Sequence, residues 1–190
     1  MATNTKRLLT AAVGAAITMA AAGCGTPTTG TQAGGTTTTT SATGQNLAIG
    51  KTFHVTNATG NNNITNAAGV DAFVTVESVK YSAESAIGAI GQQPKNGSYA
   101  IADVLIQVNA GNYDYSEGRV KYQEPDGTTY DLLSGNAASA GFDPSLGQGS
   151  LSAGQKTRGY VTFDVKSRGG LIQLTDILGA VIGQWTVPAT

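Results

Sequence analysis

The stretch YAIADVLIQVN, Tyr99 to Asn109, decides the fold. Its even positions, Ala100, Ala102, Val104, Ile106 and Val108, are all apolar, while its odd positions include Asp103, Gln107 and Asn109. Successive side chains of an extended chain point to opposite faces, so this alternation predicts a strand with one buried face. No helical period fits the same residues.

Working outward, Val161, Phe163 and Val165 alternate with Tyr160, Thr162 and Asp164, which predicts a second such strand with Asp164 directed away from the Phe163 face. Val120 and Tyr122 lead through Glu124-Pro125-Asp126-Gly127 to Tyr130 and Leu132, a hairpin whose proline and glycine suit a tight turn. Between Val74 and Tyr81 the apolar parity changes, from Val74 and Val76 to Val79 and Tyr81, and predicts a β-bulge near Glu77 and Ser78. A last strand runs near Val181 to Val187, with Trp185 as its heaviest buried group. About seven short strands between Gly, Asn, Pro and Ser loops give an all-β chain, an antiparallel β-sandwich.

The run GSLSAGQKTRGYVTFDV at 149–165 resembles a segment shared by two groups. One is the telokin-like, immunoglobulin-like domains of unknown function in secreted Gram-positive proteins; the other is the small secreted mycobacterial antigen with an immunoglobulin-like sandwich. PDGTTY at 125–130 resembles their hairpin, Val74 to Val79 their V-x-V-x-x-V strand, and GQWTVP at 183–188 the closing strand of the antigen. The resemblance implies an immunoglobulin-like fold and a surface antigen. It supplies no catalytic residues, and fold does not imply function. The chain departs from the pattern at Asn57 to Gly69, where VTNATG and ITNAAG recur; two copies do not make a solenoid, and a longer loop or extra hairpin is expected.

Before the domain lies an address. Lys6 and Arg7 precede an uninterrupted small-apolar run from Leu8 to Ala20, and Ala21-Ala22-Gly23-Cys24 follows. These are the three parts of a signal peptide in order. As a helix, Leu8 to Ala22 would reach roughly 22 Å, short of the hydrocarbon core of about 30 Å. Ala-Ala-Gly-Cys resembles the lipobox of bacterial lipoproteins, with Ala21 where Leu is commoner. The resemblance implies cleavage between Gly23 and Cys24, and lipidation of Cys24 by a diacylglyceryl group. Two or three acyl chains anchor stably where one does not. Residues 1–23 are thus expected to be a signal peptide. Residues 24–46, rich in Thr and Gly and free of charge, form a disordered tether with a span of about 25–30 Å. The sandwich domain occupies 47–190. Thr36 to Thr40 would suit O-glycosylation as well as a bare spacer.

Chemistry beyond the anchor is sparse. Charged residues are 12% of 190, and removal of Lys6 and Arg7 leaves nine basic against 12 acidic side chains, so no nucleic-acid partner is expected. Cys24 is the sole cysteine, which excludes disulfides, thiolate metal sites and a cysteine nucleophile from the domain. His54 is the sole histidine, placed by alternation opposite Phe53 and Val55, and is expected to be solvated. No G-x-S-x-G elbow accompanies it. Asp114, Glu117, Glu124, Asp126 and Asp131 gather around the central hairpin without a calcium-loop pattern and are expected to be ordinary solvated charges, Asp126 serving its turn. Asn57, Asn63 and Asn96 begin N-x-S/T triplets of little weight in a bacterial chain. No catalytic residue, metal or cofactor is expected.

Two loops remain: Ser85–Gly97, carrying Ile87 and Ile90, and Ser134–Ser150, carrying Phe142 and Leu146. Long loops on a rigid scaffold are a usual seat of binding, whereas the simpler expectation is that these apolar groups cap the open ends of the sandwich. The sequence therefore predicts a membrane-anchored, outward-facing lipoprotein. Its β-sandwich would be a non-catalytic module for an envelope or extracellular protein or glycan, with Ile87, Ile90, Phe142 and Leu146 as candidate binding-loop residues. The alternative is a metal- or small-ligand-binding lipoprotein serving a transporter or sensor.

Overall fold

A computed structural model describes residues 46–56 and 69–190. The signal peptide, Gly23, Cys24, the tether as far as residue 45 and residues 57–68 of the insertion lie outside the described residues. What is described is almost wholly strand: β1 (Asn46–Ala48), β2 (Thr52–Thr56), β3 (Asp71–Ser82), β4 (Ser98–Ala110), β5 (Asn112–Ser116), β6 (Val120–Gln123), β7 (Thr129–Tyr130), β8 (Gln148–Ser152), β9 (Lys156–Val165), β10 (Gly170–Thr175) and β11 (Val181–Val187). A five-stranded sheet in the order β1-β11-β10-β6-β7 faces a four-stranded sheet in the order β2-β3-β4-β9, and β5 with β8 forms a two-stranded ribbon. The chain folds as an all-β sandwich.

The longest strand is the one the alternation marked. β4 pairs antiparallel with β3 on one side and β9 on the other, so Ala102 stands between Val79 and Val161. The even residues of β4 fill the core with Val161, Phe163 and Val165 of β9. The β3 bulge falls where parity changes: Val76 pairs with Val104 and Ser78 with Asp103, which leaves Glu77 as the extra residue. From the facing sheet Trp185 meets Phe53 edge to face at 6.2 Å and donates its indole N–H to the Lys51 carbonyl at 2.7 Å. Tyr122 packs on Phe163 at 5.9 Å. The β6–β7 hairpin closes as expected, with Asp126 Oδ1 accepting the Thr128 N–H at 2.8 Å.

Four expectations need correction. The sheets are not purely antiparallel, since β1 runs parallel to β11, Asn46 opposite Gln184. A turn at Ile49–Lys51 then carries the chain across to the other sheet as β2, which is why the two sheets share this first segment. Asn46, the last residue of the expected tether, already stands in β1. The strands number eleven among the described residues, because β1, β5 and β8 are too short or too polar to show an alternation and β10 (GLIQLT) reads as a short apolar run without one. Finally, β4 does not have a single buried face. Tyr99, Ile101 and Asp103 are buried on its outer side as well.

The cover over that outer side is the segment 131–147. Tyr99, Ile101 and Ala140 form a second apolar cluster with Phe142 and Tyr160 against it, and Tyr99 meets Phe142 edge to face at 6.1 Å. Asp103 is closed off by Arg158, which donates from Nε at 2.9 Å and Nη2 at 2.7 Å to its two oxygens. The segment lies so close to β9 that Leu146 N–H donates to the Tyr160 carbonyl at 2.9 Å and Tyr160 N–H to that of Pro144 at 2.7 Å. Gly159 permits this approach: a Cβ there would stand 2.5 Å from the Leu146 nitrogen.

Candidate functional site

Both long loops converge on one carboxylate. Asp164 does leave β9 on the side opposite Phe163, but it is wholly buried, not solvated. Its Oδ2 accepts the backbone N–H of Lys95 at 2.7 Å and of Asn136 at 2.7 Å, and its Oδ1 accepts that of Asn96 at 2.8 Å. Asn96 returns a bond from Nδ2 to the Asp164 carbonyl at 2.9 Å, and Asn136 Nδ2 donates to Gln93 O at 2.8 Å. A buried charge needs such partners to persist away from water. Gly135 must be glycine here, since it sits at φ +61° and a Cβ would meet Asp164 Oδ2 at 2.2 Å. Tyr99 adds a second stitch, its hydroxyl 2.7 Å from Gln92 O and 3.2 Å from Asn136 O. Burial first, and the Asp164 charge second, hold that phenol above its ordinary pKa, so it stays a neutral donor.

On this knot stands an apolar crest. A single 3-10 turn at Gly88–Ile90 follows Ile87, fixed by Ser85 Oγ donating to Gly88 O at 3.1 Å and by Ala86 N–H donating to Ala140 O at 2.8 Å. Ile87 is 48% exposed and rests against Gly141, and Ile90 is 88% exposed. Of the four residues picked out in the two loops, these two face solvent. The other two do not stand with them. Leu146 is 4% exposed and belongs to the main core, because the Gly159 approach draws it in beside β9. Phe142 is half-buried, with one side spent on Tyr99. For these two, capping of the sandwich is the role the packing gives.

Next to the crest lies a groove of about 220 Å³ whose lining includes Tyr160, Thr162 and Phe142 together with the carboxylates of Glu117 and Asp143. Glu117 Oε2 accepts Ser145 Oγ–H at 2.7 Å and Gly147 N–H at 3.2 Å. No sequence signal marked this groove, since its lining comes from four separated segments.

The remaining polar groups are structural. His54 leaves its strand on the outer face, as alternation predicts, and is partly buried with 20% of its side chain exposed: its Nε2 lies 2.6 Å from Asp71 Oδ1 and its ring stacks on Phe73 at 4.6 Å. Strand pairing sets Phe73 beside His54 and Asp71 two residues away on the same face. Glu124 is likewise buried, its Oε1 accepting the N–H groups of Lys166 and Ser167, both at 2.7 Å. Its place at the end of β6, under the turn from β9 to β10, hides it in a way the local sequence does not. Asp131 caps its own turn through Leu133 N–H at 3.0 Å and Ser134 Oγ–H at 2.9 Å, and the Thr128 N–H holds the Asp126 carboxyl below the usual range. Among the described residues no three His, Cys, Asp or Glu side chains gather as a metal site, and no helix is long and apolar enough to cross a membrane.

No family model matches the chain, and no curated protein does. Among solved structures it is similar to MPT63, a secreted protein of Mycobacterium tuberculosis, with TM-score 0.54 and 17% identity over 75% of this chain and 96% of that one. It also matches the candidate lipoprotein ycdA of Bacillus subtilis, with TM-score 0.46 and 11% identity over 66% of this chain and 38% of that one. The likeness to MPT63 shows a shared β-sandwich, so the resemblance read at 149–165 holds at the level of the fold. The match to ycdA is too distant to add to it.

Proposed function

We propose that this chain is a lipid-anchored, outward-facing lipoprotein whose sandwich is a non-catalytic module for an envelope or extracellular partner, with the Ile87–Ile90 crest as its contact surface. The observation that carries the reading is the crest itself. Two isoleucines stand in solvent on a loop that a buried carboxylate and two backbone stitches hold fixed. Two such groups on one turn offer apolar surface to a partner, and a loop already held in place loses little entropy on binding.

The crest lies at one end of the sandwich, which the strand pairing defines. β1 runs parallel to β11 toward Val187, which pairs with Gly170 just past the end of β9, and Val165 of β9 pairs with Ser98 just past the crest loop. Within the described domain, β1 therefore runs toward the crest end. In the N-terminal sequence, Cys24 after Ala21-Ala22-Gly23 supplies the proposed anchor, and the Thr- and Gly-rich spacer supplies reach.

The test has two arms. Cys24→Ala is expected to move the protein from the membrane fraction to the medium, and retention in the membrane would remove the lipid anchor. Ile87→Ser with Ile90→Ser is expected to leave the thermal midpoint nearly unchanged, as surface substitutions do, while chemical crosslinking in cells loses its partner complex. A complex that survives the double substitution would remove the crest.

A further inference from the structure

We propose that the groove beside Phe142, continuous with the crest, takes an extended peptide segment of a partner in which a lysine or arginine stands next to an aliphatic residue. The inference rests on the proposed function and names the chemistry of what the module holds.

The crest and the groove are one surface, because Gly141 lines the groove and also lies against Ile87. The groove's volume equals that of about seven waters at about 30 Å³ each, enough for one long side chain. Its charge is one-sided. Glu117 and Asp143 belong to its lining, no lining residue is basic, and among the described residues neither carboxylate makes an ion pair. The rings of Tyr160 and Phe142 give the interior two aromatic surfaces on which the stem of a lysine or arginine can lie and toward which its cation is drawn. A ligand that satisfies the whole surface must carry a cation for the groove and, one or two residues away, an apolar group for Ile87 and Ile90. An extended peptide has both at that spacing. The same two carboxylates repel an anionic bilayer surface and complement a cationic side chain of a peptide.

The probe is a short fluorescein-labelled peptide with a central lysine flanked by leucines, titrated with the full chain at low ionic strength and read by fluorescence anisotropy. Saturable binding is expected, with Kd raised about tenfold by Asp143→Asn, by Ile90→Ser or by 0.5 M salt. The counterpart with glutamate for lysine is expected not to bind. Asp143 is exposed and Glu117 also holds Ser145 and Gly147 in place, so Asp143→Asn separates charge recognition from loop support. Absence of saturable binding, equal binding of the glutamate peptide, or indifference to Asp143→Asn would each overturn the inference. If the lysine peptide fails while crest substitutions still abolish the crosslinked complex, the peptide chemistry is wrong and the proposed function stands; if both fail, both fall.

Discussion

Asp164 does more than any other residue to give the loops a fixed shape, and its consequences can be measured one amide at a time. Its carboxylate replaces water for three backbone N–H groups that come from residues 28, 68 and 69 positions away in the chain. Asp164→Ala leaves those donors without their acceptor, and hydrogen bonds to a charged group are worth about 1.5–3 kcal/mol each. Partial access of water to the loops reduces the sum, so a loss of about 3 kcal/mol is expected from denaturant melts. Hydrogen exchange is expected to speed up at Lys95, Asn96 and Asn136 together, whereas exchange confined to one of the three would show that the loops are not tied through this group. The sequence reading placed Asp164 on the correct side of its strand and mistook that side for solvent. Period-two alternation reports which face a residue leaves by, not what covers that face. The same limit hid Glu124, whose donors come from 42 and 43 residues further along, and His54, whose stacking partner Phe73 lies on the neighbouring strand.

At the scale of elements, legibility followed length and burial. β4 and β9 are long and pack one face into the core, so alternation finds them, and the parity change in β3 places the bulge near Glu77 and Ser78, where Glu77 is the extra residue. Short β5 and β8 pair only with each other, and β1 has three residues; none is long enough for a period to show. The segment 131–147 is the least legible element of all. It reads as an open loop, yet it lies along β9 and buries Tyr99, Ile101 and Leu146. Its one local signal is Gly159, legible only as the start of a strand until the close passage of Leu146 is seen. Gly159→Ala tests that passage. A methyl group 2.5 Å from a backbone nitrogen forces the segment outward and is expected to cost about 1–3 kcal/mol, the range for overpacking a closed site. An unchanged urea midpoint would mean that the segment lies on β9 without being held there.

Across the whole molecule, the N-terminal sequence and the domain carry different halves of the account. The residues around Cys24 carry the proposed address, while the sandwich gives a scaffold whose likeness to MPT63 extends to the fold and stops there. Ile87 and Ile90 were picked out from the sequence together with Phe142 and Leu146, and packing separated the pair in solvent from the pair that caps the core. The central claim is that the exposed pair is where the module meets its partner. The most direct measurement places a photo-crosslinking amino acid at position 90, and for comparison at exposed position 152 on β8, in the full chain within the producing cell. The account predicts a discrete crosslinked protein from position 90 that is absent from position 152. Identical products from the two positions, or none from position 90, would contradict it.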